Sequence, residues 1–398
     1  MPTNRIAMKL SPAAQRKIKG GHPWVFQDSI SKQNKEGLAG DLGIVFHDKT
    51  NEFLGIGLYD PGSIIRLKML HVGSPMKVDE NFFKRRIQLS YDLRVSLLET
   101  ETNAYRLFYG ENDGMPGFIA DVYDDHLVIK LYSAIWFPYL EMIEHLIREK
   151  LMIICSVLRL SRNLKVKNQD TGYCDGQLLF GTLKSEEIIF KEHGLKCYAN
   201  LIKGHKTGYF LDHRANRLKI RSYAKDRKVL DIFSYAGGFS VNAIAGGATD
   251  VIAVDISEKA LKVAQKNMRV NFPNAAFRTL TEDAFVALKN LKLNKEQFDL
   301  IILDPPSFAK KKEEIDGAKN SYKRLINSAL PLLSKHGIIL CASCSSRVSK
   351  EDFFDLVNAV FDKSKRKCKV LQTSTHDVDH PENIPELSYL KSTYIQLL

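Results

Sequence analysis

The 398-residue chain has no apolar run near the ~18 residues that a membrane-spanning helix needs, so a helical membrane protein is excluded. Met1–Leu10 carries neither an apolar core segment nor a cleavage site, which argues against secretion. Cysteine is scarce: six residues in the whole chain form no dense disulfide framework, and a reducing cytoplasm is the expected compartment. No internal repeat is visible, and no Pro-, Gly- or Ser-rich linker marks a boundary. Acidic residues are in deficit, 46 Asp+Glu against 58 Lys+Arg, and the resulting charge of +12 points to a polyanionic partner. An apolar content of 44% is ordinary for a globular protein and excludes wholesale disorder. The length suggests two or three domains.

Roughly the first 75 residues read as a small β-rich unit. Ile44–Phe46, Phe53–Leu58 and Ile64–Met69 alternate with turns such as Gly40-Asp41 and Asp60-Pro61-Gly62. Asp79 can cap a helix that carries Phe83, Ile87, Tyr91 and Arg94 on one side, with Leu97 following. A mixed segment runs to about residue 190, with strands expected at Gly117–Asp121, His126–Tyr132 and Ile153–Arg159 and a helix at Phe137–Lys150. Beyond it the rhythm is clearer. Strand-like runs at Val229–Phe233, Asp250–Val254, Phe298–Leu303 and Gly337–Ser343 are separated by helical segments. The best of these is Ser257–Asn271, with Ala260, Leu261, Ala264 and Met268 on one stripe and Ser257 as N-cap. Such alternation predicts a doubly wound parallel sheet, which binds its ligand at the carboxyl ends of the strands. The domains expected are 1–75, 76–190 and 191–398.

Those strand ends carry polar chemistry. After the first comes Asp231-Ile232-Phe233-Ser234-Tyr235-Ala236-Gly237-Gly238, where two glycines allow close approach of a ligand to the backbone. Asp255 ends the second strand, and a carboxylate there can take both hydroxyls of a ribose; its plainer reading is a helix N-cap. Glu282-Asp283-Ala284 follows a short third strand, where a side chain can meet an adenine edge. A nicotinamide site would need Gly-x-Gly-x-x-Gly to receive a pyrophosphate, and that spacing is missing. The Gly237-Gly238 loop suits a nucleoside without phosphates, with S-adenosylmethionine as the leading candidate.

The fourth strand ends Asp304-Pro305-Pro306. The prolines stiffen the rim and remove two N–H donors. An Asp at that point can hydrogen-bond the amino group and ring nitrogen of a base; alone, the motif would read as a simple turn. Cys344 stands at the exit of the fifth strand. Methylation of cytosine at C5 needs a nucleophile that adds at C6, and a thiolate can add and leave again. A thiolate needs a nearby cation or hydrogen bonds, and Arg347 and Lys350 are close in sequence. The plainer reading is a buried structural cysteine. Cys341-x-x-Cys344 is half a zinc site with no second half, so no metal is expected.

Basic residues cluster at 191–228, with eleven Lys/Arg against three Asp/Glu. A second cluster is Lys310-Lys311-Lys312, beside the Asp304 rim and suited to phosphates. Lys363–Lys369, late in a helix, reads as solvated surface.

Several longer motifs now resemble a known family. Gly21-His22-Pro23-Trp24-Val25-Phe26 is similar to the opening of a PUA domain, a small RNA-binding β-barrel. Leu107–Phe118, reading LFYGENDGMPGF, resembles the central signature of a methyltransferase family, usually written Glu-Ala-Asp-Gly-Leu-Pro-Gly. His205–Arg214, reading HKTGYFLDHR, resembles the motif preceding its catalytic sheet. With Asp304–Phe308 and Ser343–Ser345, the resemblance covers nearly the whole chain and is to the PUA-containing ribosomal RNA large-subunit methyltransferase I group, S-adenosylmethionine-dependent cytosine-C5 enzymes. It implies a class I Rossmann-like α/β sheet at the C-terminus, an N-terminal PUA-like β-barrel and a central α+β domain. It implies Cys344 as nucleophile and Asp304 at the base edge. Around the methyl donor it places Asp212, Arg214, Phe233, Tyr235, Ala236, Gly237, Gly238, Asp255, Ile256, Asp283, Ala284 and Asp304. Large-subunit rRNA is the implied partner, with Lys203, Lys206, Lys310, Lys311, Lys312 and Trp24 as candidate contacts; Trp24 reads equally as a core residue. The chain departs from the pattern in Asn112 for Ala and in His213 where Gln is common. Pro306 and Ser307 leave no second cysteine in the Asp304 loop, so the base that takes the C5 proton is not identified. A guanine or adenine N-methyltransferase, using Asp304 without Cys344, is the alternative. An unpaired barrel edge leaves room for a homodimer, but neither the oligomeric state, the nucleotide modified nor the choice between naked rRNA and an assembling particle is legible.

Overall fold

In the computed structural model, which describes residues 4–167 and 172–398, every strand expected from the sequence is present within a few residues. The chain divides into two compact units, Met1–Phe190 with Ala199–Leu211 and Val378–Ile384, and Lys191–Tyr198 with Asp212–Asp377 and Pro385–Leu398.

The first unit opens with a six-stranded sheet of β1 (Arg5–Leu10), β2 (Trp24–Phe26), β3 (Ile30–Gln33), β4 (Leu42–Phe46), β5 (Phe53–Tyr59) and β6 (Ile65–Val72), ordered β2-β6-β5-β4-β1-β3. Ser11 caps α1 (Pro12–Lys19), with proline in the first turn where its missing N–H costs nothing. Asp79 caps α2 (Glu80–Asp92) as expected, accepting from the Phe82 N–H at 3.1 Å. That helix stops at Asp92, so Arg94 and Leu97 fall beyond it, Leu97 in the short α3 (Val95–Leu98). A second sheet follows, of β7 (Ala104–Tyr109), β8 (Phe118–Tyr123), β9 (His126–Leu131), β10 (Cys155–Leu160) and β11 (Leu178–Phe180), with α4 (Leu140–Leu151) and α5 (Arg162–Lys167). The helix expected from Phe137 begins as a 3₁₀ segment, Ala134–Tyr139; Pro138 within it has no N–H to bond a preceding carbonyl.

Leu42, Ile56 and Leu70 of the first sheet share one core with Phe83, Trp136, Tyr139 and Leu158. Within this unit Arg94 is completely buried and meets Asp113 through two hydrogen bonds, 2.9 and 2.7 Å. Asp113 also accepts from the Tyr109 N–H at 2.6 Å. The central signature therefore closes a buried ion pair. Its Gly114 has φ +68°, where a side chain is strained, and a Cβ there would also have to displace the guanidinium of Arg86.

A hairpin of β12 (Glu187–Glu192) and β13 (Leu195–Asn200) follows. The second unit then contains α6 (Arg214–Arg221), β14 (Lys228–Ile232), α7 (Gly238–Ala245), β15 (Asp250–Asp255), α8 (Glu258–Asn271), β16 (Phe277–Thr281), α9 (Ala284–Leu293), β17 (Phe298–Leu303), α10 (Ile315–Ala329), β18 (Leu333–Ser343), α11 (Lys350–Ser364), β19 (Cys368–Ser374) and β20 (Lys391–Leu397). Their sheet order is β16-β15-β14-β17-β18-β20-β19. The five strands from β14 to β18 are parallel, so their carboxyl ends share one edge.

The expected parallel sheet is present in these five strands and is extended by β20, which runs antiparallel to both β18 and β19. Strand alternation splits the core in two. Leu230, Ile232, Ile252 and Val254 pack with Leu288, Leu325 and Phe353; Val229, Val251, Leu300 and Ile302 pack with Ile220, Ala243 and Tyr394. No helix among the described residues is long and apolar enough to cross a membrane.

Candidate functional site

At the carboxyl end of β14 the backbone turns back sharply. Phe233, Tyr235 and Gly237 have φ of 65°, 48° and 72°. Each of the two non-glycine residues carries about 1–3 kcal/mol of conformational cost, which the surroundings must hold in place. A Cβ on Gly237 would lie 2.8 Å from Ala264 Cβ, so this glycine lets α8 approach the loop. Asn267 of α8 anchors the loop by donating to the Ala236 carbonyl at 2.8 Å, and Gly238 opens α7.

Asp255 is not the cap of α8; Ser257 is, its hydroxyl accepting from the Ala260 N–H. Instead Asp255 ties two loops, accepting from the Tyr235 N–H at 2.9 Å and from the Ser257 N–H at 2.8 Å. Its neighbour Ile256 is 75% exposed, an apolar surface at the strand edge. Asp283 caps α9 through one oxygen, Oδ1, which accepts from Phe285 and Val286 N–H, and Ala284 begins that helix. Asp212 is buried and accepts from the Tyr389 hydroxyl at 2.6 Å. Arg214 is fully buried and pairs with Asp377 at 3.2 Å.

Asp231, wholly buried on β14, accepts from the Ser240 N–H and hydroxyl at 3.1 and 2.7 Å through Oδ2. Burial, added to by the charges of Asp304 and Asp255, pushes its carboxyl up to about 7 despite those bonds. Its other oxygen, Oδ1, and the hydroxyl of Ser234 are buried without a protein partner. Unsatisfied buried acceptors are costly. Here they fit a ligand that brings polar donors, as the amino-acid end of S-adenosylmethionine does, while the exposed Ile256 face and the second oxygen of Asp283 fit its adenosine end.

The nucleophile candidate lies at the same edge. Cys344 follows the last residue of β18 and is half-buried, with Sγ 3.4 Å from His213 Nε2 and 3.9 Å from Asp304 Oδ1. His213 Nε2 is in turn 3.1 Å from Asp304 Oδ1. Among the described residues this is the only cluster of three His, Cys and carboxylate donor atoms brought so close. Cys341, whose thiol burial pushes up to about 12, stands outside it. Arg347 and Lys350, close to Cys344 in sequence, are both exposed. The cation coupled to Cys344 is Lys391 of β20, lowered by burial to about 8 and supported by the Cys344 and Glu351 charges. Its Nζ donates to the carbonyls of Ser345, Val348 and Tyr389, holding the turn that carries the thiol. Tyr322 of α10 bonds Ser343 at 2.8 Å and is pushed up by burial to about 12.

His213 and Lys391 were not among the expected site residues. For His213 a signal existed in the His205–Arg214 motif, where it departs from the usual Gln. For Lys391 none did, since it lies on a strand that the alternation did not disclose.

The basic segment 191–228 is less of an outward patch than its charge suggests. Arg217 is buried on Glu192 with two bonds of 2.6 Å, Arg214 is buried, and Arg221 donates to Asn242 and to the His193 carbonyl. Lys203 is exposed and pairs with Glu186 at 2.6 Å; Lys206 Nζ lies 4.5 Å from the Phe210 ring centre. Lys310, Lys311 and Lys312 are all exposed. Most of Lys363–Lys369 lies past the end of α11, and Arg366 there donates to the Leu330 and Leu333 carbonyls rather than facing solvent alone. Trp24 is half-buried, its Nε1–H donating to Glu111 at 2.9 Å, which links the two N-terminal motifs.

Residues 159–391 match the model of the S-adenosylmethionine-dependent methyltransferase family, and residues 8–71 match that of the PUA-like domain. Fold and site thus define a class, a methyltransferase that uses S-adenosylmethionine and carries a PUA-like domain. A ribosomal RNA large subunit methyltransferase of Deinococcus radiodurans is 39% identical over 99% of this chain and 98% of its own. Ribosomal RNA large subunit methyltransferase I of Tolumonas auensis is 36% identical over 95% and 96%. The chain belongs to the PUA-containing ribosomal RNA large subunit methyltransferase I family. Among solved structures, a Streptococcus mutans protein described as a SAM-dependent methyltransferase superposes with TM-score 0.81 at 22% identity over 98% of this chain and 99% of its own, a likeness of fold. Another, a methyltransferase complexed with SAH, gives 0.82 at 23% identity over 99% and 100%.

Proposed function

We propose that this protein makes 5-methylcytosine in large-subunit ribosomal RNA through a covalent bond between Cys344 and C6 of the target base. The observation that carries the reading is the sulfur of Cys344 at the carboxyl edge of the parallel strands, 3.9 Å from Asp304 Oδ1. An N-methyltransferase would have use for Asp304 but none for a thiol beside it. The substrate class follows the names of the relatives.

The target base leaves its stack to reach the strand edge. Asp304 accepts from its amino group, and the Cys344 thiolate adds to C6 as N3 takes up a proton from water, so that C5 becomes nucleophilic. When bound at the Phe233–Gly238 loop with Asp212, Arg214, Asp255, Ile256, Asp283 and Ala284, S-adenosylmethionine supplies an electrophilic methyl group. The strained loop and Asp255 fix positions, which is what a displacement in line requires. Loss of the C5 proton then expels Cys344 and restores the ring. Lys203, Lys206 and Lys310–Lys312 serve the RNA phosphates, and the N-terminal sheet with Trp24 serves RNA shape.

The test is incubation of the purified protein with methyl-labelled S-adenosylmethionine and RNA from cells lacking it, followed by nucleoside mass spectrometry. Labelled 5-methylcytidine that vanishes with Cys344→Ala is expected. Labelled methylguanosine or methyladenosine insensitive to that change would overturn the covalent reading and leave Cys344 structural.

A further inference from the structure

A thiolate 3.9 Å from a carboxylate is an unfavourable arrangement, since two like charges at that separation repel and hold the thiol protonated. Among the groups around the sulfur, Asp304 opposes its ionisation, Lys391 favours it, and the buried Tyr322 stays neutral. One further group stands beside both the sulfur and Asp304, within hydrogen-bond reach of each. His213 Nε2 is 3.1 Å from Asp304 Oδ1 and 3.4 Å from Cys344 Sγ.

Which ring nitrogen of His213 faces the site as a donor follows from its partner: Asp304 Oδ1, a carboxylate oxygen that can only accept, lies 3.1 Å from Nε2, so Nε2 carries a proton. On the other side of the ring the Asn216 amide lies 3.1 Å from Nδ1 and is itself held among the hydroxyls of Ser374, Ser392 and Tyr394. The ring itself is 2% exposed and packs edge-on against Phe239, 5.5 Å between centres, so it has little freedom to turn.

We propose that His213 is a positioning residue, an imidazole whose Nε2–H is shared between the Asp304 carboxylate and the Cys344 sulfur and lets a thiolate form beside that carboxylate. It is a donor and not a base: accepting the Cys344 proton at Nε2 would need a ring already deprotonated there. The inference deepens the Cys344 reading above and rests on it for its role in turnover, but its test needs neither RNA nor methyl donor. A protein that labels no cytidine would therefore still give a result.

The experiment compares the wild type with His213→Gln, which keeps a donor but cannot take up a proton, and His213→Leu, which keeps neither. The rate of iodoacetamide alkylation is followed against pH on the peptide that contains Cys344, by mass spectrometry, with EDTA present. His213→Gln should leave the midpoint of that profile within about 0.3 of a pH unit, and His213→Leu should raise it by about one pH unit or more, a roughly tenfold slower alkylation at pH 7. Equal displacements in both variants would make His213 a base, and an unmoved midpoint in His213→Leu would make it a spacer; either overturns the proposal. Should His213→Leu fail to fold, ring ¹⁵N chemical shifts of selectively labelled wild type, assigned by their loss in His213→Gln, decide the matter. A ring that carries a proton at Nε2 is expected, and an Nδ1–H tautomer with Nε2 bare would refute it.

Discussion

Asp231 makes the stability of this protein depend on pH in a direction opposite to that of an ion-paired carboxylate. Its carboxyl is raised by burial to about 7, against 3.8 for the free side chain. Between those two values the folded chain holds a proton that the unfolded chain has lost, so stability falls as pH rises. The linkage between pH 5 and 8 comes to about 2–3 kcal/mol for this one group, at about 1.36 kcal/mol for each pH unit over which the folded chain keeps that proton. Asp231→Asn removes the titration. The amide oxygen can still accept from the Ser240 N–H and hydroxyl, while the new NH₂ takes the place of the oxygen that has no protein partner. Urea unfolding followed by far-UV circular dichroism at pH 5, 6, 7 and 8 measures the outcome. Relative to wild type, Asp231→Asn should gain about 2–3 kcal/mol on going from pH 5 to pH 8, all other groups cancelling in the comparison. Parallel pH curves for the two proteins would refute the reasoning, because they would mean that Asp231 ionises no differently in the fold than in the unfolded chain.

Three further outcomes follow from the same reading. Arg94→Met leaves the Asp113 carboxylate buried without its cation and should cost about 3–5 kcal/mol by urea unfolding, and an unchanged midpoint would refute that reading. Lys391→Met should slow alkylation of Cys344 at pH 7 up to about tenfold, since it removes the cation coupled to that sulfur; an unchanged rate would show that the hydrogen bonds alone hold the thiolate. Replacing Lys310, Lys311 and Lys312 together by Gln should flatten the salt dependence of RNA affinity by about 0.7 in log–log slope for each phosphate that is no longer neutralised, measured by fluorescence anisotropy on single-stranded RNA.

How far the sequence carried depended on which signal each feature has. Parallel strands that are short buried runs, such as Phe298–Leu303 with apolar residues on both faces, are legible to within a residue or two, whereas β18 begins at Leu333, four residues before the apolar run that marks it. The Ser257 cap and the stripe on α8 were equally plain, because capping and helical spacing are local properties. The antiparallel pair β19 and β20 was not. β19 is a half-exposed edge strand, mixed in polarity, and β20 owes its burial to neighbours distant in sequence. The same reason hid part of the site. Cys344 and Asp304 each sit after a legible strand, in motifs with their own spacing. His213 reaches them from 131 residues before Cys344, and Lys391 from the far end of the unit. Side-chain neighbours of that kind depend on sheet order, which strand periodicity does not encode. The charge count misled in a comparable way: Arg214 and Arg217 add to the positive segment but are consumed by carboxylates inside the fold.

The most direct test of the central claim uses RNA in which cytidine is replaced by 5-fluorocytidine. Fluorine at C5 cannot leave as a proton does, so a Cys–C6 bond, once formed and followed by methyl transfer, should persist. In the presence of S-adenosylmethionine the account predicts a protein–RNA species that survives denaturing electrophoresis, with the crosslinked peptide containing Cys344, and its absence in Cys344→Ala. Methylation of normal RNA without any such species, or an adduct that persists in Cys344→Ala, would contradict it.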